Sequence, residues 1–168
     1  LGCEFYMVKD RHKQSFLKSG GEKDERFHQL LLAKNQEGYE NLSRLCSLGF
    51  IEGLYGKFPR IDKELLLKYH KGLIATSCCI GAEIPQAIIK GKLDEAENLL
   101  KWWLDLLGED FYIEIQRQGG NNDLDDMGIS QEQVNQHLLR LAKKYNVKVI
   151  ATNDVHYLEE EDSVPHDI

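Results

Sequence analysis

Hydrophobic and polar positions change period repeatedly along the chain, and the changes mark out its elements. Gly2 to Val8 is a short apolar-rich run that reads as a buried strand, and Phe27 to Ala33 reads as a second. Between them, Lys9 to Arg26 is polar, carries Gly20-Gly21 and mixes charges densely, which predicts a flexible loop. After Asn35, residues Tyr39, Leu42, Leu45 and Cys46 recur at spacings that keep one helical face apolar. Gly53 to Arg60 is a Gly/Tyr/Pro loop, and Asp62 can cap a short helix through Tyr69. Gly72 to Thr76 predicts a third strand, followed by Ser77-Cys78-Cys79-Ile80-Gly81. Glu83 to Ile89 predicts a short helix. Leu93 to Leu107 predicts a longer one, with Leu99, Trp102, Trp103 and Leu106 as its apolar stripe and Gly108 as its stop. Phe111 to Gln116 alternates like a strand, Gly119 to Gly128 is a polar loop, and Ser130 caps a helix to about Tyr145. Val147 to Thr152 is the last strand. This alternation predicts βα units around a parallel sheet, either open or part of a barrel.

Composition narrows the function classes. At 168 residues the chain can bury the core of one domain. No run reaches the roughly 18–20 apolar residues of a membrane span, so no membrane role is expected. A net charge of −7 argues against nucleic-acid binding by bulk attraction. The local basic run Lys9-Asp10-Arg11-His12-Lys13, continued by Lys18, reads as a solvated loop. Cys3, Cys46, Cys78 and Cys79 show no secreted or zinc-knuckle spacing, which suits reduced thiols in the cytoplasm. Leu1-Gly2-Cys3-Glu4 is not a signal peptide. A start without Met inside a strand-like run, and an end at Pro165-His166-Asp167-Ile168, suggest a piece of a longer protein.

Chemistry concentrates in Val149-Ile150-Ala151-Thr152-Asn153-Asp154-Val155-His156-Tyr157. An apolar strand stops, and an Asp and a His follow two positions apart, so both can aim at one point past the strand end. A carboxylate beside an imidazole suits a divalent zinc, manganese or iron ion. Glu4 lies inside the first strand, His28 opens the second, and Cys78 and Cys79 follow the third. In a parallel array such groups converge at one end, giving Glu, His, Cys, Asp and His as a mixed ligand set. Bland readings stand beside it: Glu4 paired with a lysine, His28 as a core histidine, Cys79 as a small buried hydrophobe. His12, His70 and His137 read as surface residues, and Trp102 and Trp103 as packing. Phosphate-binding glycine loops and Gly-x-Ser-x-Gly elbows are absent from the sequence. Cys79 with a His could also form a nucleophile pair.

A series of motifs resembles the polymerase-and-histidinol-phosphatase (PHP) domains at the start of bacterial replicative DNA polymerase III alpha subunits. The matching stretches are Gly2-Cys3-Glu4-Phe5-Tyr6, His28 to Asn35, Gly38 to Leu42 and Pro59 to Leu65. They continue with Gly72 to Cys79, Glu83-Ile84-Pro85 and Ala151 to Leu158, in order and almost end to end. The resemblance implies an α/β fold: a distorted, TIM-like (β/α)7 barrel with up to three metal ions at its strand ends. It places Glu4 as a bridging carboxylate, His28 and Cys79 as ligands, and Asp154 and His156 as the closing Asp-x-His pair. Cys78 stands where the family has Gly.

The family's His-x-His and Thr-Asp-His motifs do not occur in this sequence. The resemblance therefore implies that residues 1–168 are the middle and C-terminal part of one PHP domain, without its first strands and without polymerase domains. A partial barrel of this kind would be open on one side and prone to self-association. The parent would be a cytoplasmic DNA-directed DNA polymerase, meeting DNA, a sliding clamp and a proofreading exonuclease subunit. The complete domain would be a metal-dependent phosphoesterase, in some members a 3′–5′ exonuclease. Two alternatives remain at this stage: a non-catalytic scaffold that docks a separate exonuclease subunit, and a free-standing PHP phosphatase.

Overall fold

The computed structural model describes residues 1–17, 20–117 and 128–166. Lys18 and all of the polar Gly119–Gly128 loop except Gly128 lie outside the described residues. Six strands form one sheet: β1 (Gly2–Met7), β2 (Phe27–Ala33), β3 (Arg60–Ile61), β4 (Leu73–Thr76), β5 (Phe111–Gln116) and β6 (Val149–Thr152). Their order is β3-β1-β2-β4-β5-β6, with β3 and β6 at the edges. The sheet departs from the expected parallel arrangement at one strand, because β2 runs antiparallel to both β1 and β4. A parallel neighbour needs a crossover, usually a helix, and among the described residues no α-helix separates β1 from β2. The other five strands share one direction. The two-residue strand β3 is a further difference; the sequence pattern shows only a loop there, since two residues carry no period.

Three of the described helices open on side-chain caps. In α1 (Gln36–Ile51), Asn35 Oδ1 accepts the Gly38 amide at 2.9 Å. In α2 (Lys63–Tyr69), Asp62 Oδ1 accepts the Leu65 amide at 3.1 Å. Helices α3 (Glu83–Ile89) and α4 (Leu93–Leu107) follow, and Gly108, at φ 55°, ends α4. Ser130 and Gln133 form a capping box on α5 (Gln131–Tyr145). A single turn, α6 (Ser163–His166), closes the described chain. Among the described residues no helix is long and apolar enough to cross a membrane.

Alternation along the strands divides the sheet into two faces. Phe5, Met7, Leu31, Leu73, Ala75, Phe111 and Ile113 are buried in the helix-packed core. Trp103 of α4 stacks on Phe111 with ring centroids 5.5 Å apart. Of the predicted α4 stripe, Trp103 is fully buried with Ala96 and Leu100, and Leu99, Trp102 and Leu106 are half-buried against the core. The opposite face carries Glu4, Tyr6, His28, Thr76, Glu114, Gln116 and Thr152.

The basic run after β1 is not solvated throughout. Arg11 is buried: its guanidinium meets Asp62 Oδ1 at 2.9 Å and Glu52 Oε2 at 2.7 Å. Arg60 is fully buried and donates to Asp24 and to the carbonyls of Gly53, Arg11 and Lys13. These two arginines fasten the β1–β2 connection to β3 and α2, so β2 starts from a fixed point.

Candidate metal centre

The reversal of β2 decides where His28 lies. Because β2 runs against its neighbours, its first residues sit at the edge where the other strands finish. His28 pairs with Tyr6 and lies diagonal to Glu4, whose direct partner is Leu30. The His28 Nδ1 to Glu4 Oε1 distance is 3.0 Å. Tyr6 meets the His28 ring edge-on at 5.6 Å, and Gly81 lies so close that an added Cβ would stand 3.1 Å from Nδ1.

Cys79 arrives from the next strand. After Thr76, Cys78 takes the left-handed conformation at φ 58°, and the chain turns so that Cys79 Sγ lies 3.3 Å from His28 Nδ1. Candidate ligand atoms of Glu4, His28 and Cys79 all lie within 4.8 Å of one another. Ligands about 2.0–2.3 Å from one tetrahedral ion stand roughly 3.3–3.8 Å apart, so these three need only small side-chain movements to share one. The carboxylate, imidazole and thiol together suit zinc or a similar borderline ion.

The electrostatics favour a thiolate. The Cys79 thiol is lowered to about 6, chiefly by a hydrogen bond from Cys78, helped by the Gly81 amide and by His28, against the opposing effect of burial. Cys78 moves up in return, through its bond to Cys79 and through burial. The thiolate, not the thiol, is the form that binds metal.

Asp154 and His156 follow β6 as predicted, but they do not join the three-residue group. Asp154 is half-buried and left-handed at φ 50°, and His156 is exposed. His156 Nδ1 lies 2.6 Å from the Asp154 carbonyl oxygen. That contact, then the Asp154 charge, raises the His156 pKa; Glu4 and Cys79 add smaller attractions. His156 therefore feels the charges of Glu4 and Cys79 without being part of their group. His12 is exposed as expected, and His70 and His137 are half-buried.

Sequence reasoning passed over Glu114. It is a charged residue in the middle of Phe-Tyr-Ile-Glu-Ile-Gln, the same signal that singled out Glu4 in Gly-Cys-Glu-Phe-Tyr-Met. It is 4% exposed and lies on the sheet face that carries Glu4 and His28.

Comparisons with known proteins identify relatives of this chain. Residues 1–118 match the family described as the PHP domain. The DNA polymerase III subunit alpha of Borreliella burgdorferi is 40% identical over 169 residues, covering 100% of this chain and 14% of the relative. That of Thermus aquaticus is 47% identical over 142 residues, covering 84% of this chain and 11% of the relative. That of Deinococcus radiodurans is 42% identical over 142 residues, 84% of this chain and 10% of the relative. The chain thus spans between 10% and 14% of the length of these relatives.

Proposed function

The chain belongs to the PHP domain family, and on that premise we propose that it is the middle and C-terminal part of a PHP domain in a bacterial DNA polymerase III alpha subunit. The observation that carries the reading is the convergence of Glu4, His28 and Cys79 from three different strands or strand ends. In the complete domain these three, with Asp154 and His156, hold divalent metal at the strand ends of a PHP-type barrel. The relatives named above match through most or all of this chain and are polymerase subunits, which favours that parent over a free-standing phosphatase.

The proposed local activity is phosphoester hydrolysis, with a DNA 3′ end as substrate and proofreading as the role. A bound divalent ion supplies positive charge to a phosphate oxygen and makes water more acidic. The chain's own residues supply the rest. Glu4 and Cys79 provide negative charge, His28 bridges them, and Tyr6 and Gly81 fix the His28 ring. A net charge of −7 means that DNA is held chiefly by the rest of the polymerase. Four free cysteines suit the reducing cytoplasm in which such a polymerase works.

Elemental analysis of the purified protein carrying this domain tests the reading. Zinc, manganese or iron near stoichiometry, lost in Cys79→Ser and His28→Ala with the fold retained, is expected. A folded protein that takes up no metal from any of the three ions would refute the metal centre and leave the docking-scaffold role.

A further inference from the structure

Two non-glycine residues of the site loops are left-handed, Cys78 at φ 58° and Asp154 at φ 50°. Each stands two residues after the threonine that ends its strand, Thr76 of β4 and Thr152 of β6. Both threonine hydroxyls donate to one carboxylate on the strand between them. Thr76 Oγ1 donates to Glu114 Oε2 at 2.5 Å, and Thr152 Oγ1 donates to Glu114 Oε1 at 2.5 Å. Gln116 Nε2 adds a donor to Oε1 at 3.1 Å.

The Thr76 side continues toward the site. The Cys78 amide donates to Thr76 Oγ1 at 3.0 Å, so this hydroxyl accepts from the turn and donates to Glu114. The strands are pinned again by Ser77, whose Oγ accepts the Glu114 amide at 2.8 Å. We propose that Glu114 is a positioning residue. Its buried carboxylate clamps the ends of β4 and β6, and through Thr76 it sets the turn that presents Cys79 to His28.

The physical case rests on direction and burial. A carboxylate accepts only, and here every side-chain partner around it is a donor. Hydrogen bonds in a chain polarise one another, and in a buried setting each is stronger than in water. A tight turn with a left-handed Cys needs such outside support, because its Cβ disfavours that conformation. Among the described residues Glu114 makes no hydrogen bond to Glu4, His28 or Cys79, so it acts through Thr76 and Thr152. The role as support for metal ligands rests on the function proposed above; the role as a clamp on the two turns does not.

The experiment compares Glu114→Ala, Glu114→Gln, Thr76→Val and Thr152→Val with Ile113→Val. Ile113 lies on the opposite face of the same strand, so its variant weakens the core without touching the clamp. Zinc affinity is measured by chelator competition, and the cobalt-substituted protein is followed through its thiolate-to-cobalt absorption band. Amide hydrogen exchange at Cys78 and the alkylation rate of Cys79 are measured on metal-free protein. Glu114→Ala should lower zinc affinity by about tenfold to a hundredfold and weaken the cobalt band, as loss of an outer hydrogen-bond partner does. It should speed Cys78 amide exchange by roughly tenfold, the effect of losing one charge-assisted bond. Glu114→Gln should recover most of both, since its amide oxygen still accepts from one hydroxyl. Changes no larger than those of Ile113→Val would overturn the proposal. If the unaltered protein binds neither zinc nor cobalt, the metal reading fails, and exchange at Cys78 and alkylation of Cys79 judge the clamp alone. If Glu114→Ala does not fold, the two valine variants are judged by the same readouts.

Discussion

Replacing Asp62 by alanine should unfold this domain more readily than any other single carboxylate change in its first half. Asp62 is 4% exposed and does three jobs at once. It caps α2 by accepting the Leu65 amide at 3.1 Å, it accepts the Arg11 amide at 3.1 Å, and it meets Arg11 Nη1 at 2.9 and 3.0 Å. Loss of a cap costs about 0.5–2 kcal/mol. Breaking a buried ion pair by removing one partner costs about 3–5 kcal/mol, because the other charge stays buried. The two do not add fully, since they share one side chain. Arg11 also keeps Glu52 at 2.7 Å and Glu64 at 3.3 Å, which lowers the penalty. Asp62→Ala should therefore cost about 3 kcal/mol. For a chain of this size that corresponds to a fall in Tm of roughly 6–12 °C.

Asp62→Asn keeps an acceptor for the cap and should cost about 1–2 kcal/mol, the difference reporting the charge. Adding Arg11→Met to Asp62→Ala should recover part of the loss, because no unpaired cation is then buried. Urea and thermal unfolding at neutral pH, followed by circular dichroism, measure all of these. A cost below about 1 kcal/mol for Asp62→Ala, or no difference between Ala and Asn, would refute the buried-pair reasoning. The functional consequence lies one loop away, since Arg11 anchors the connection that delivers His28 to β2.

Two further predictions concern packing and pH. An added Cβ at Gly38 would lie 1.8 Å from the Gly72 carbonyl oxygen, backbone against backbone. Gly38→Ala should thus cost about 3 kcal/mol in denaturant unfolding, whereas Gly20→Ala, with nothing within 4 Å of its Cβ, should be nearly neutral. In metal-free protein, alkylation of Cys79 should rise with pH with its midpoint around pH 6, against an ordinary thiol value of 9.0. Cys3, pushed up to about 12 by burial and by Cys46, should stay slow at neutral pH. Because the Cys79 value is lowered by folding, its contribution to stability is complete above the ordinary thiol range and is lost as pH falls through about 6. Cys78→Ala should move the midpoint upward more than His28→Ala does, and a midpoint near 9 in unaltered protein would contradict the arrangement.

Local pattern alone determined most of the elements. Asn35, Asp62 and Ser130 announce three helix starts because a cap is a bond between residues three positions apart. Phe27–Ala33 and Phe111–Gln116 have the lengths and side chains of strands, and the structure has them there. Glu4, His28 and Cys79 were legible as candidates because chemistry-bearing residues in or beside apolar strands carry a cost that local structure does not explain. Their convergence was expected of a parallel array, but the way the chain reaches it was not legible. It depends on β2 running backwards, which brings the first residues of one strand to the last residues of its neighbours. The burial of Arg11 depends on partners 41 and 51 residues away, so a local charge count reads it as solvated. Glu114 is the same case, for its two threonine partners come from strands 38 residues before and after it. Sequence period reports what a residue does within its own element. Which elements meet, and which charges they bury together, is decided by long-range pairing, and that pairing exists only in the tertiary structure.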